Sequence, residues 1–232
     1  TDRGMVLVPQ LLALLETAKA AETQQLAFAF AQLLVNDAGR SAFVLRGRVD
    51  TFACLVPFMK STESRSIAFD FVKHLNKPDP KYGLESDELL ARAESINKLK
   101  ELKVVDVRDS AELLVMRLRS RVGELERAVT EDGAFVDHTN VEVLLSLTQF
   151  MTNEESVALA QKLAELSVIC LGRELRAAPS EESESAVLNS VSTIELLAPH
   201  CDHLDLAKAE LRFGLSDPRG LGANPRVAVD GQ

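Results

Sequence analysis

Tryptophan is absent from this 232-residue chain and tyrosine occurs once, so aromatic residues make up only 5% of it. Apolar residues still reach 46%, carried mainly by Leu, Ala and Val. That balance excludes a typical β-sandwich, whose strands draw on β-branched and aromatic side chains, and fits Leu- and Ala-rich helices. Cysteine is scarce too: Cys54, Cys170 and Cys201 are scattered and odd in number. A disulfide framework is therefore not expected, and a reducing, cytoplasmic setting is. Long apolar runs are missing. The longest, VLVPQLLALL, contains Pro9 and Gln10 and falls short of the roughly 20 residues that cross a bilayer. Positive charge is in deficit, with a net charge of −9. Phosphate backbones are bound through clustered Lys and Arg, so no nucleic-acid partner is expected.

Catalytic signatures are lacking as well. There is no GxSxG, no Walker loop and no HExxH, and Gly220-Leu221-Gly222 follows no strand pattern. The run Pro199-His200-Cys201-Asp202-His203-Leu204-Asp205 offers metal-ligand chemistry. Ligands that crowded cannot all face one ion, however, and no second cluster completes a four-ligand set. The chain is accordingly expected to be no enzyme, with no cofactor and no metal.

What is present is a repeat. LLETAKAAETQQLAFAFAQLL (14–34) lies over LVPFMKSTESRSIAFDFVKHL (55–75) at an offset of 41 residues. Leu14/Leu55, Lys19/Lys60, Glu22/Glu63, Ala27/Ala68, Phe28/Phe69, Phe30/Phe71 and Leu34/Leu75 are identical pairs. A period near 40 with helical patterning marks stacked helical units, none of which buries its apolar face alone.

Read helix by helix, residues 5–16 form a buried helix, and Thr23 caps a second over Gln24–Val35 with Leu26, Phe28, Ala29, Phe30, Leu33 and Leu34 inward. A short helix, Arg40–Leu45, ends at a turn on Gly47, and Asp50 or Thr51 caps another, Phe52–Met59. Thr62 and Ser64 open the next long helix, which Asn76-Lys77-Pro78-Asp79-Pro80 terminates.

On these residues the chain from Gln25 to Leu75 resembles armadillo repeats, with Gly47 followed by Val49, Phe52, Leu55, Val56 and Met59 at the family's glycine turn and apolar helix. The family's groove-lining Trp and Asn are absent, their places falling near Phe28/Phe69 and Gln32/Lys73. HEAT-type stacking has a similar period and stays open. The resemblance implies an all-α, armadillo-like right-handed superhelical stack that binds another protein.

After residue 77 the pattern shifts. Residues 78–131 read as a helical hairpin that continues or interrupts the stack: one helix from Ser86 to about Val105, and one from Ala111 to Val129 with Val115, Leu118, Val122, Leu125 and Val129 as a seam. Residues 132–213 return to armadillo- or HEAT-like helices: Val141–Met151, Ser156–Glu174, Ala186–Leu197 and Leu204–Phe213. Residues 214–232 have the composition of a flexible tail, and residues 1–77 hold the clear repeats.

The expected function is a non-catalytic protein-binding scaffold or adaptor, its partner another protein presented as an extended peptide or helix. Partner contact is expected at Gln25, Gln32, Asn36, Asp70, Lys73 and His74 on the long helices. Arg46 and Arg48, beside Arg40, supply a second candidate patch in the inter-repeat segment. Phe28, Phe30, Phe69 and Phe71 are expected in the core. The alternatives are a structural segment of a larger stable assembly and, third, an all-α enzyme.

Overall fold

The computed structural model describes residues 9–10, 12–16, 20–36, 41–77, 85–176 and 180–201. Among them every regular element is helical, and there is no strand. The tail from residue 214, the expected helix Leu204–Phe213 and residues Asp202, His203 and Asp205 lie outside the described set. The chain divides into two compact units: the described parts of 1–124 and 137–159 form one, those of 125–136 and 160–232 the other.

The first unit contains α1 (Ala20–Asn36), α2 (Ala42–Leu55), α3 (Ser61–Leu75), α4 (Ser86–Leu102) and α6 (His138–Leu147). It also holds the N-terminal parts of α5 (Arg108–Glu131) and α7 (Asn153–Glu174). α2 is one uninterrupted helix, which corrects the reading of two short helices around Gly47. A single glycine costs a helix roughly 1 kcal/mol, too little to stop one whose other residues favour it. The Gly47 carbonyl also accepts a bond from Thr51 Oγ1 at 2.9 Å.

α1 begins before Thr23, which is buried inside the helix and donates its hydroxyl to the Leu15 carbonyl at 3.1 Å rather than capping. The inward face of α1 is also shifted from expectation. Thr23, Ala27, Ala31 and Val35 are buried at steps of four, while Leu26, Ala29 and Leu33 face out. Small residues there let α2 and α3 approach closely, and both pack on α1. α3 follows its predicted phase: Ile67, Ala68, Phe71, Val72 and Leu75 are buried, with Phe71 tilted 44° against Phe52 of α2 at 5.3 Å.

α4 sits at the centre of this unit, packed most extensively on α2 and α6. Its buried set includes Leu89, Ile96 and Leu99, but also Ser86, Glu88, Ala91, Arg92, Ala93 and Ser95. Arg92 is 1% exposed. Its Nε and Nη2 donate to Glu88 Oε1 at 2.9 and 2.6 Å, and its Nη1 donates to the Leu75 carbonyl at the end of α3. Arg117 of α5 reaches the next carbonyl, that of Asn76, at 3.5 Å. Two guanidiniums thus satisfy the last carbonyls of α3, which no intrahelical donor serves. Polar pairs also fasten α4 to α6 and the turn after it: Ser86 Oγ to Asn140 Oδ1 at 2.8 Å, Asn97 Nδ2 to the Ser146 carbonyl at 2.8 Å, and Gln149 Nε2 to Asn97 Oδ1 at 2.6 Å.

One joint recurs along the chain. α2 ends in a 3₁₀ turn, Val56–Phe58, after which Met59 is extended (φ −110°, ψ 156°). α6 ends in Thr148–Phe150, followed by Met151 (φ −106°, ψ 160°). α8 (Glu181–Leu197) ends in Ala198–His200, followed by Cys201 (φ −107°, ψ 128°). In all three the extended residue donates its N–H three residues back, at 3.1, 3.1 and 3.3 Å. LVPFM and LTQFM share Leu, Phe and Met, so the 55–59 motif returns at 147–151.

The second unit is organised by Arg173 of α7. Its Nη2 and Nη1 donate to the Ala134 and Val129 carbonyls at 3.0 and 3.4 Å, and its guanidinium lies 4.7 Å from the centre of the Phe135 ring. Gly133 sits in the turn below it with φ +70°, a conformation that glycine adopts without the strain a Cβ brings. Asn189 of α8 donates to the Val136 carbonyl at 3.0 Å. The α8 first turn carries Glu181, Glu182 and Glu184, where the helix dipole favours negative charge. The helix thus starts at Glu181, ahead of the expected Ala186. The seam residues Val115, Leu118, Val122, Leu125 and Val129 are all buried.

Candidate functional site

α1 and α3 carry the predicted contact residues. Gln25, Gln32 and Asn36 are exposed on α1; Lys73 is exposed and Asp70 and His74 half-buried on α3. The offset of 41 residues pairs Gln32 with Lys73 on two helices that pack together. Lys73 Nζ bonds Asp70 Oδ1 at 3.0 Å and stands 4.5 Å from the centre of the Phe69 ring. Burial is the main cause that pulls the His74 pKa below its ordinary value; Lys77 lowers it further and Asp70 opposes.

Arg46 and Arg48 are engaged inside the fold. Arg48 Nη1 donates to the Leu34 carbonyl at 2.8 Å, near the end of α1. Arg46 Nη1 lies 2.7 Å from Glu94 Oε2, close enough for an ion pair although not aligned as a hydrogen bond. The helices that carry the α1 and α3 residues pack together, and both arginines have partners elsewhere in the fold. Arg40 lies outside the described residues.

Phe69, like Leu26 and Leu33, lies against expectation. Expected in the core, it is 52% exposed, whereas Phe71 is fully buried and Phe28 and Phe30 are half-buried. Its helical phase was the available signal, because Thr62, Arg65, Ser66 and Lys73 mark the same face as polar.

Phe69 opens onto a groove of about 920 Å³ between α3 and the α4–α5 turn. Sequence reading carried α4 on to Val105; the helix stops instead at Leu102, where Lys103 turns left-handed (φ 55°) and donates its amide to the Lys100 carbonyl at 3.0 Å. Asp106 Oδ1 then accepts the Arg108 amide at 3.0 Å at the start of α5. The turn held this way contributes Lys103, Val104, Val105 and Asp106 to the groove, opposite Thr62, Arg65, Ser66 and Phe69. The side chains of Arg65 and Lys103 have no ion-pair or hydrogen-bond partner among the described residues. An exposed ring, two half-buried valines and two available cations can hold an apolar side chain and fix a carboxylate or backbone carbonyl beside it.

Among the described residues no group of three or more His, Cys, Asp and Glu side chains is placed to hold a metal ion, and no helix is long and apolar enough to cross a membrane. Fold and groove together define a class, a protein whose described residues are all-helical in their regular structure, with an open, mixed-polarity groove beside α3. Comparison with protein-family models, curated proteins and solved structures finds no match for the chain.

Proposed function

We propose that the chain is a non-catalytic scaffold that binds another protein, with the helices of its first unit forming an armadillo-like right-handed stack. The observation that carries this reading is Phe69. A large ring half in water that also lines a groove is placed as an interface anchor, because aromatic residues dominate the energetics of protein interfaces. The groove beside it accepts an extended segment. A surface built on packed helices loses little ordering entropy when such a segment docks.

The test is selection of binders from a random peptide library on the immobilised chain, followed by titration calorimetry of a selected peptide. Phe69→Ala is expected to weaken binding about tenfold or more, the range of an interface anchor. Lys73→Glu is expected to weaken it less, since Lys73 lies at the exposed rim. Peptides that bind both variants as tightly as the wild type would place the site elsewhere.

A second reading, a segment of a larger stable assembly, draws on α1. Leu26 and Leu33 are 49% and 61% exposed, two turns apart on one face. Burial of that stripe against a neighbouring chain would give concentration-dependent sedimentation that Leu33→Gln abolishes.

A further inference from the structure

We propose that the N-terminal half of α5, with the turn after α6, is a separate docking surface for a cationic amphipathic segment of a partner protein. The phase of α5 puts Ala111, Leu114, Val115 and Leu118 in the core, so positions 109, 112, 113 and 116 face out. That outward face is not uniformly polar. Leu113 and Met116, three residues apart, are 37% and 54% exposed. They line an open groove of about 590 Å³ with half-buried Phe150 from the turn that ends α6. Methionine suits such a surface because its unbranched, polarisable side chain adapts to differently shaped anchors.

The charge around these apolar residues selects the partner. The side chains of Asp109, which also borders the groove at Phe69, and of Glu112 have no ion-pair or hydrogen-bond partner among the described residues. Glu155 is paired with Arg119, which cancels the one cation of the lining. Lys100, over the Phe150 ring at 4.5 Å, is held by Gln149 Oε1 at 2.5 Å. Two carboxylates without ion-pair partners, against the single charge of Lys100, therefore flank an apolar strip on a chain whose net charge is −9. Nucleic acid and anionic lipid are repelled by that arrangement. Lysines or arginines flanking Leu-type anchors complement it on both counts.

The test follows the methionine methyl signals of the full chain by NMR, since only Met5, Met59, Met116 and Met151 contribute. The probe is a synthetic peptide of about 18 residues, long enough to form a marginal amphipathic helix, made of leucine and lysine; its leucine–glutamate counterpart is the control. The Met116 signal is expected to move saturably with the lysine peptide and not with the glutamate one. Asp109→Asn with Glu112→Gln is expected to weaken binding about three- to tenfold at low salt, the size of an electrostatic rim effect. Glu131→Gln with Asp132→Asn makes the same charge change on exposed residues elsewhere and is expected to change it less than about twofold, as a bulk charge effect would.

Phe69→Ala is expected to leave this binding intact, which separates the outcome from that of the groove at Phe69. A stationary Met116 signal while the peptide binds would overturn the proposal. So would equal weakening by the two neutralised pairs, loss of binding in Phe69→Ala, an equal response to the glutamate peptide, or no binding at all.

Discussion

Arg92 is the bulkiest of the fully buried side chains, and burying a guanidinium is costly unless every donor has work. Here Nε and Nη2 hold Glu88 and Nη1 holds Leu75, but Glu88 Oε2 is buried without a partner. Removing the arginine strands the carboxylate and frees a helix-end carbonyl. Arg92→Met is expected to lower stability by about 3–5 kcal/mol, the range for breaking a buried ion pair, and Arg92→Met with Glu88→Leu to recover most of it. Urea denaturation of the two variants checks this. None of it was legible beforehand, because Glu88 and Arg92 at i,i+4 look like any solvated pair on a helix surface. Phe69 failed for the opposite reason: composition assigns phenylalanine to the core, and only its phase, shared with Arg65 and Lys73, contradicts that. Gln25, Gln32 and Lys73 were legible because polar residues at repeat-related positions stay outside whichever neighbour covers the other face.

At the scale of elements, helix existence was readable and helix ends were not. The long helices α1, α3, α5 and α7 all follow from apolar periodicity. Glycine misled the reading of α2, where Gly47 stands in the interior with nothing within 4 Å of an added Cβ. Gly47→Ala is expected to raise stability by about 0.5–1 kcal/mol, the helix-interior difference between the two residues. The thermal midpoint reports the sign. A turn with positive φ at that position would make the same change destabilising, so the measurement also decides between one helix and two. α4 was misjudged in a third way. It was read as one arm of a hairpin with a single inward face, yet Ala91, Ala93 and Ser95 are buried along with Leu89, Ile96 and Leu99. Small residues on several sides mark a helix enclosed by neighbours, a pattern that a search for one apolar stripe overlooks.

For the molecule as a whole, enclosure predicts where stability resides. The amides of Ala91–Leu99 are expected to exchange with solvent more slowly than those of α8. Six of those nine residues of α4 are buried, whereas among the residues of α8 whose burial is described only Ser190, Thr193 and Leu197 are. Hydrogen exchange read by mass spectrometry checks this, and comparable protection in both helices would contradict it. The two compact units interleave along the chain, residues 125–136 lying between two stretches of the first. Composition carries no trace of that division, because spatial proximity defines it and helices α5 and α7 are continuous in sequence across it.

The joint at Met59, Met151 and Cys201 has a consequence for how such a chain can change length. A corner that closes through its own backbone, with a helix-ending leucine before it and an extended residue after it, asks little of whichever helix comes next. Lys60-Ser61-Thr62 and Thr152-Asn153-Glu154 follow it equally well, though they differ at every position. Duplication or loss of a whole segment between two such corners would leave the steering of the remaining chain intact. The corner is thus a natural splice point, where new material can enter this architecture without the old having to be relearned.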